Sequence, residues 1–233
     1  MSAKPSSTTL GCKQQVVTTA QRLAHKGYLL ATGGNVSVRV PGQPAFAITP
    51  SNFDYGKMAP EDVNVLTLDL VPLEGPHRPS VESGMHAGIY RARPDVSAIV
   101  HTHQVYASTL AVLKAPIPAL FDEQARFLGR RVPIVPYAPS GTGWLTRKVA
   151  RHVRGHGNAF IMQNHGVVCL GHDAQRAAHN VEILEKCAIA YLLALCTDRK
   201  VSKIPLVVRE VAFAKLRADQ KMAERGEIST RGE

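Results

Sequence analysis

Two histidines separated by one residue follow a short apolar segment, at His101 and His103. Side chains two residues apart on a β-strand point to the same face, so these imidazoles could converge on one ion. A third histidine, His165, lies between two short apolar segments and is followed by a glycine. A polar side chain at a break in a buried sheet needs a partner, either a metal ion or a hydrogen bond within the core. Together the three histidines predict a metal site with an open coordination position, as in catalytic zinc centres.

Glu82 is the carboxylate with which such a site could move a proton. It follows Ser80, which is predicted to begin a helix that ends at Pro94. An acidic side chain in a first helical turn is often only a helix cap. Here the helix turns at Pro94 straight into the strand that ends at His101, and this hairpin returns the chain to the same end of the layer. We therefore predict that Glu82 lies beside the metal ion and that His86 faces the core.

Helices and strands that could position these residues alternate along the chain. Apolar periodicity and turn residues predict helices over 12–26, 80–93, 106–113, 142–153, 173–196 and 208–223, and strands over 36–40, 45–49, 63–70, 96–101, 132–137, 159–162 and 167–170. Residues 118–126 are predicted to form a loop. Because some neighbouring strands are joined by tight turns, the pattern indicates a three-layer α/β/α sandwich with a central mixed, mainly antiparallel sheet. Residues 1–233 are predicted to be a single domain, with a flexible tail over 1–11 and a C-terminal segment over 198–233.

Composition limits the classes of function. Of the 233 residues, 45% are hydrophobic and 20% are charged, as in an ordinary globular protein. No segment approaches the roughly 18 apolar residues of a membrane span, and no signal-peptide core is apparent, so a cytoplasmic protein without a membrane partner is expected. The four cysteines form no C-x-x-C pair, and three are expected to be buried thiols. The net charge of +10 comes without a nucleic-acid motif, which favours a small anionic substrate over nucleic acid.

Ordered motifs connect these residues to a known family. The motifs are Gly34-Asn35-Val36-Ser37, Thr49-Pro50-Ser51, Pro79-Ser80-Val81-Glu82 with His86 four residues later, Val100-His101-Thr102-His103 and Asn164-His165-Gly166. In this combination, from about Gln14 to Cys196, the chain resembles the class II aldolase/adducin family. The resemblance implies the sandwich fold and a homotetramer with active sites between subunits. It also implies that Glu82 is the acid and base of turnover, and that one divalent metal ion per subunit is held by His101, His103, His165 and Glu82.

The ligand types bear on the identity of the ion. Imidazole nitrogens with one carboxylate favour Zn²⁺ over Mg²⁺, and Mn²⁺, Co²⁺ and Mg²⁺ stay open as alternatives. A divalent ion that binds adjacent carbonyl and hydroxyl oxygens stabilises the charge of an enolate, and a carboxylate that leaves the ion can act as the base. This chemistry agrees with what the resemblance implies, a carbon–carbon lyase of the aldolase type that acts on a small sugar-derived or other hydroxy-carbonyl compound.

Three short loops bind the phosphate group of the substrate in the family. By resemblance, the substrate-binding residues here are Gly34, Asn35, Ser51, Asn52 and Ser80. Backbone N–H groups and hydroxyls suit such an anion. The sequence departs from the family at Asn52, where glycine is usual, and at Val81, which replaces a second serine and offers no donor. Whether the substrate is phosphorylated therefore stays open.

A second departure concerns the family's catalytic tyrosines. Asp122 stands near the position of one of them, and no tyrosine occurs near the C-terminus. Asp122 and Glu123 are therefore candidates for catalytic or supporting roles. For both residues, a salt bridge to Arg126 or Arg130 is the alternative. Because decarboxylation needs no tyrosine for an aldehyde oxygen, a metal-dependent decarboxylase of a hydroxy or oxo acid competes with the aldolase, and a sugar-phosphate epimerase is a third candidate. A non-catalytic adducin-like interaction domain is expected to lack the metal ligands, and all four are present.

Overall fold

The structure, a computed structural model, describes residues 7–228. The strands are β1 (Asn35–Arg39), β2 (Ala45–Ile48), β3 (Asn64–Thr67), β4 (Pro72–Glu74), β5 (Ala98–Thr102), β6 (Ile134–Val135), β7 (Ala159–Met162) and β8 (Gly166–Gly171). The α-helices are α1 (Ser7–His25), α2 (Ser83–Ala92), α3 (Val105–Leu113), α4 (Asp122–Phe127), α5 (Gly143–Val153), α6 (Ala174–Leu195) and α7 (Leu206–Glu224). Within the described residues, no helix combines the length and the apolar character needed to cross a membrane.

The strands form one eight-stranded sheet in the order β4-β3-β2-β1-β5-β8-β7-β6. Neighbouring strands are antiparallel except β6 and β7, which are parallel. The predicted mixed, mainly antiparallel sheet is therefore confirmed. In the register between β1 and β5, Asn35 lies directly opposite His101, so that residues from two of the predicted motifs become neighbours across the strands.

Helices cover both faces of the sheet, because successive side chains of a strand point to opposite sides. Along β5, Val100 belongs to an apolar cluster with residues of α1, α3 and α6. Its neighbour Ile99 belongs to a second cluster, which includes residues of α2 and α5. Each helical layer thus has its own apolar core against the sheet, and the predicted three-layer α/β/α sandwich is confirmed.

Helix ends follow the signals in the sequence at several points. Gly27 follows α1 with a φ of +75°, the left-handed conformation typical of a helix C-cap. The side chains of Thr142 and Asp173 accept backbone N–H groups at the starts of α5 and α6. Three of the four cysteines are buried, as predicted, and Cys196 is exposed.

The N-terminal prediction is wrong in part. Helix α1 begins at Ser7, so residues 7–11 of the expected flexible tail are helical. The physical reason is that Thr9 and Cys12 are buried, which anchors the first turns of the helix against the fold. Residues 1–6 of the expected tail lie outside the described part of the chain, as do residues 229–233 of the C-terminal segment.

Two further predicted boundaries are corrected. The strand predicted over 63–70 ends at Thr67, because Leu70 adopts a φ of +66° in a turn that leads into β4. The loop predicted over 118–126 contains the short helix α4. There the Gln124 side chain accepts the N–H of Leu120 over 2.9 Å and donates to the carbonyl of Pro118 over 2.7 Å, which stabilises the turn before the helix.

Arg93 fixes the turn between α2 and β5. Its guanidinium, which is buried, donates two hydrogen bonds to the Asp95 carboxylate, over 2.7 and 2.6 Å. It also donates to the carbonyl oxygens of Val153 and Gly157, over 3.0 and 2.9 Å. Because buried charges need such pairing, these bonds tie the end of α2 to the end of α5. The start of α2 and the end of β5 are thereby held at the same end of the sheet.

Candidate metal centre

The three predicted histidines come together at one end of the sheet. His101 lies in β5, His103 follows β5 directly, and His165 lies in the tight turn between β7 and β8. In that turn Asn164 adopts a φ of +54°, a conformation that asparagine adopts more readily than most residues. Since β8 pairs with β5, with Val168 opposite His101, the turn brings His165 beside the end of β5.

The imidazole nitrogens face one another. The Nε2 atoms of His101 and His103 are 2.9 Å apart, and the ligand atoms of the three histidines lie within 4.8 Å of one another. His101 Nδ1 lies 2.7 Å from the carbonyl oxygen of Val167. Because a carbonyl oxygen can only accept, Nδ1 carries a proton, and Nε2 is the nitrogen that faces the cluster. This is the orientation that a metal ligand requires.

Two glycines leave room for the His103 ring. A Cβ atom on Gly166 would lie 2.5 Å from His103 Cδ2, and one on Gly33 would lie 2.9 Å from His103 Nδ1. Both distances are far below the roughly 3.5–4.0 Å of favourable nonbonded contacts. A larger residue at either position would therefore displace the ring, which explains why glycine follows His165 in the sequence.

Glu82 does not act as a helix cap. It occupies the N-cap position of α2, but its side chain makes no capping hydrogen bond. Instead, its Oε2 atom lies 3.0 Å from His101 Nε2, and its Oε1 atom lies 3.1 Å from His165 Nε2. The prediction that Ser80 begins the helix is wrong, because α2 begins at Ser83. The hydroxyl of Ser83 donates to the carbonyl of Ser80 over 2.6 Å, in a turn that precedes the helix.

Two hydrogen-bond donors hold the Glu82 carboxylate. Asn35 Nδ2 donates to Oε2 over 2.9 Å, and the Ser140 hydroxyl donates to Oε1 over 2.8 Å. Ser140 lies in the loop before α5 and is absent from the residues that the sequence predicts. A loop serine has no periodicity or spacing that points to a carboxylate, so only the folded arrangement reveals this contact.

Burial and charge shift the acidities of the centre in opposite directions. Burial raises the pKa of Glu82, but the adjacent His101 and His165 outweigh it and hold that pKa well below its ordinary value. Burial lowers the pKa of His101, and the Glu82 carboxylate reverses this and raises it. Burial and the neighbouring histidines lower the pKa of His103 to about 4. An ionised carboxylate and a neutral His103 ring are the protonation states that metal binding needs.

The donor types fit a zinc-like ion. Three imidazole nitrogens with one carboxylate oxygen and an open side toward solvent are typical of catalytic divalent-metal sites. His165 has an exposed side-chain fraction of 14%, whereas Glu82 and His101 are buried at 5% and 0%. The cluster is therefore closed on the protein side and reachable past His165. The residues that could hold an ion are His101, His103, His165 and Glu82.

The three loops predicted to bind the substrate lie side by side next to this centre. Thr32 Oγ1 donates to Asn52 Oδ1 over 2.9 Å, which joins the first two loops. The N–H of Ser80 donates to the carbonyl of Thr49 over 3.3 Å, which joins the second and third. The N–H of Ser51 donates to the carbonyl of Arg78 over 2.8 Å, a second bond between the same two loops, which form an antiparallel bridge at Pro50 and Pro79.

Backbone conformation and exposure explain the residue types at three positions of these loops. Gly34 adopts a φ of +82°, and a Cβ atom there would lie 2.5 Å from the carbonyl oxygen of His101. Asn52 adopts a φ of +55°, so asparagine can replace glycine there and keep the turn. Val81 is 53% exposed beside Gly141 and offers only apolar surface at the place of a serine.

Asp122 and Glu123 are not brought to the cluster by any contact among residues 7–228. Both lie in the first turn of α4, where Glu123 Oε2 accepts from Lys186 Nζ over 2.8 Å. The predicted alternative of a salt bridge to Arg126 or Arg130 is wrong for Glu123. The reason is that each of these arginines pairs with an acid of α7, which packs against α4.

Known proteins are similar to this chain in both sequence and fold. Residues 14–192 match the family model described as Class II Aldolase and Adducin N-terminal domain. The 5-deoxy-D-ribulose 1-phosphate aldolase of Bacillus thuringiensis serovar kurstaki is 34% identical over 179 residues, which cover 77% of this chain and 83% of that protein. A solved L-fuculose 1-phosphate aldolase superposes with a TM-score of 0.84 at 30% identity, over 91% of this chain and 98% of that chain. YgbL of Escherichia coli, for which aldolase, epimerase and decarboxylase activities are suggested, superposes with a TM-score of 0.79 at 25% identity, over 88% and 99%.

Proposed function

We propose that this chain, which belongs to the class II aldolase and adducin N-terminal domain family, is a divalent-metal-dependent carbon–carbon lyase of the aldolase type. The observation that carries the proposal is the convergence of Glu82 with three histidines, its two oxygens lying 3.0 and 3.1 Å from His101 and His165. A buried carboxylate costs free energy unless its surroundings compensate for it. An interaction domain has no use for this arrangement, whereas an enzyme that moves protons does.

In this proposal the ion is Zn²⁺, with Mn²⁺, Co²⁺ or Mg²⁺ as alternatives, and its ligands are His101, His103, His165 and Glu82. When bound, the ion supplies Lewis-acid polarisation of the substrate's carbonyl oxygen. Glu82 takes the proton from the hydroxyl on the carbon that becomes the aldehyde, while the adjacent carbon–carbon bond breaks. Glu82 then returns a proton to the carbon on which the electron pair of that bond is left.

The proposed substrate is a small hydroxy-carbonyl compound with an anionic group. Two of the similar proteins are named for sugar 1-phosphates, and three loops of this chain lie side by side next to the histidine cluster, which supports an anionic group at that end of the substrate. Ser51, Asn52 and Ser80 are the proposed contacts, with Gly34 allowing close approach of the backbone. Because Val81 is exposed and offers no hydrogen-bond donor, we expect a lower affinity for phosphate than two serines would give.

A decarboxylase of a hydroxy or oxo acid is the second candidate, and Val81 is the observation that favours it. A carboxylate substrate needs fewer donors than a phosphate, and loss of carbon dioxide leaves no aldehyde oxygen for a tyrosine to protonate. The chain carries no tyrosine beyond Tyr191, in keeping with that chemistry. An epimerase would use the same first bond cleavage and re-form the bond on the other face.

The test compares metal-loaded protein with chelator-stripped protein on phosphorylated and non-phosphorylated hydroxy-carbonyl and hydroxy-acid compounds. Aldehyde and carbon dioxide are measured separately, and we expect aldehyde from the metal-loaded protein alone. His165→Ala should abolish this release, whereas His152→Ala, a matched change of a half-buried histidine on α5, should not. Carbon dioxide in place of aldehyde would support the second candidate. Less than about a tenth of an equivalent of bound metal, with no product from any compound, would refute both.

We further propose a homotetramer with active sites between subunits, as the family resemblance implies. Helix α3 begins two residues after His103 and exposes apolar side chains that a neighbouring subunit would cover. These are Val105 at 60%, Tyr106 at 45%, Val112 at 63% and Leu113 at 57% exposure. Light scattering should give four times the chain mass of 25.2 kDa, and a monomer at micromolar concentration would contradict the proposal.

A further inference from the structure

A continuous chain of hydrogen bonds runs from the Glu82 carboxylate into the interior. Asn35 Nδ2 lies 2.9 Å from Glu82 Oε2, and Asn35 Oδ1 lies 2.5 Å from His86 Nε2. His86 Nδ1 lies 2.6 Å from the hydroxyl of Ser37, which is 2.8 Å from the hydroxyl of Tyr90. All five residues are buried, from 0% exposure for Ser37 and His86 to 5% for Glu82.

Only one placement of the protons satisfies every hydrogen bond in this series. An ionised carboxylate can only accept, so the amide nitrogen of Asn35 must face Glu82 and its oxygen must face His86. That oxygen also only accepts, so the Nε2 atom of His86 carries a proton. The Nδ1 atom of the neutral ring then accepts from Ser37, whose oxygen accepts from Tyr90. Every donor in the chain therefore points toward Glu82.

We propose that His86, as the neutral Nε2–H tautomer, is a positioning residue that turns the Asn35 amide toward Glu82. Asn35 thereby holds the Glu82 carboxylate, whereas the motif suggests a contact with the anionic group of the substrate. The inference rests on the proposed function, in which Glu82 moves the proton. Burial lowers the pKa of His86 to about 3, in keeping with a neutral ring.

The consequence is that the two oxygens of Glu82 have different surroundings. Oε2 is held from the interior by Asn35, whose own exposure is 3%. Oε1 faces Ser140, which is exposed and belongs to the loop before α5. A carboxylate fixed at one oxygen and reachable at the other can exchange a proton on the substrate side without losing its place. Loss of the interior bond would let Glu82 rotate, and partners of this kind are worth about 10- to 100-fold in metal affinity or activity.

The experiment compares two substitutions of similar size at one position. His86→Gln retains an N–H near the place of Nε2 and can still donate to Asn35, whereas His86→Asn is too short to reach it. We expect kcat to fall about 10- to 100-fold in His86→Asn and only about threefold in His86→Gln, with KM nearly unchanged in both. A zinc dissociation constant, measured by competition with a chromophoric chelator, should weaken in the same order. Equal losses in both variants would overturn the positioning role.

Two readouts keep the inference testable if a variant fails to fold. In the wild-type protein with ¹⁵N-labelled histidine, NMR should show His86 protonated at Nε2 alone, and an Nδ1–H ring or an imidazolium would overturn the inference. In Asn35→Ala, assayed with a phosphorylated substrate, kcat should fall while KM stays within about threefold. A KM raised at least tenfold at constant kcat would instead assign Asn35 to the substrate. A wild-type protein that shows the expected tautomer but cleaves nothing would refute the proposed function and leave the tautomer intact.

Discussion

Glu82→Gln is the sharpest perturbation of the centre, because it changes the charge and the proton chemistry while keeping the size of the side chain. In the wild-type protein one carboxylate oxygen accepts from Asn35 over 2.9 Å and the other accepts from Ser140 over 2.8 Å. Glutamine offers one acceptor and one NH₂ donor. The orientation with NH₂ toward Asn35 sets two donors against each other, so we expect the amide oxygen of Gln to face Asn35. The hydroxyl of Ser140 can rotate to accept from the amide NH₂.

The two consequences of Glu82→Gln have different magnitudes. One rearranged hydrogen bond changes the free energy of unfolding by about 1 kcal/mol, so the variant should fold. Loss of the group that transfers the proton should lower kcat by about 10²- to 10⁴-fold, which corresponds to about 3–5 kcal/mol of transition-state stabilisation. A variant that folds normally and fails in catalysis separates the chemical role of Glu82 from a structural one.

The assay is steady-state release of aldehyde at saturating zinc, with bound metal measured in the same samples. Glu82→Asp is the matched control, since it keeps the charge but shortens the side chain by one methylene. We expect this control to retain more activity than Glu82→Gln. The reasoning would be refuted by a Glu82→Gln protein that carries a full equivalent of metal and retains more than about a tenth of the wild-type kcat.

Three other predictions follow from the same structure. Chelation of the metal should abolish cleavage and added Zn²⁺ should restore it, and cleavage by fully stripped protein would contradict the centre. Arg93→Met should lower the free energy of unfolding in urea by about 3–5 kcal/mol, because Asp95 would be left buried without its partner, and a loss below about 1 kcal/mol would contradict that account. Burial lowers the pKa of His86 to about 3. As the pH falls below about 6.5, this histidine therefore binds a proton in the unfolded protein but stays neutral in the folded protein. The free energy of unfolding should therefore decrease from about pH 6.5 toward pH 3, and the same measurement on His86→Gln should lack that part of the slope.

The fold was largely predictable, because strands such as β2, β5, β7 and β8 are buried along their whole length and because α5 and α6 begin at capping residues. Asp173 before α6 and Gly27 after α1 mark helix ends by their residue type alone, so these ends can be predicted from the sequence. The misplaced boundaries have tertiary causes. The start of α1 depends on the burial of Thr9, and α4 depends on Gln124 bonding to its own preceding turn, and neither contact leaves a pattern in the sequence.

The histidine cluster was predictable for a related reason. The spacing of His101 and His103 follows from the two-residue repeat of a strand, and β5 is a strand. His165 stood out as a polar residue between apolar strands, and the β7–β8 turn places it there. The position of Glu82 was predicted from the length of the α2–β5 hairpin. The hydrogen bonds of Arg93 hold the turn of that hairpin in place.

Asn35 and Ser140 were beyond this kind of reasoning, since an amide or a hydroxyl accepts and donates and the chosen partner depends on the whole fold. The motif around Asn35 suggests an anion of the substrate. The register between β1 and β5 puts it opposite His101, where the nearest anion is Glu82 itself. Ser140 likewise donates to Glu82, and it does so from the exposed side of the carboxylate. If the family's usual substrate is bound differently here, the change is to be sought where Val81, Ser140 and Gly141 meet. There the chain offers one hydroxyl and an apolar surface beside the Glu82 carboxylate.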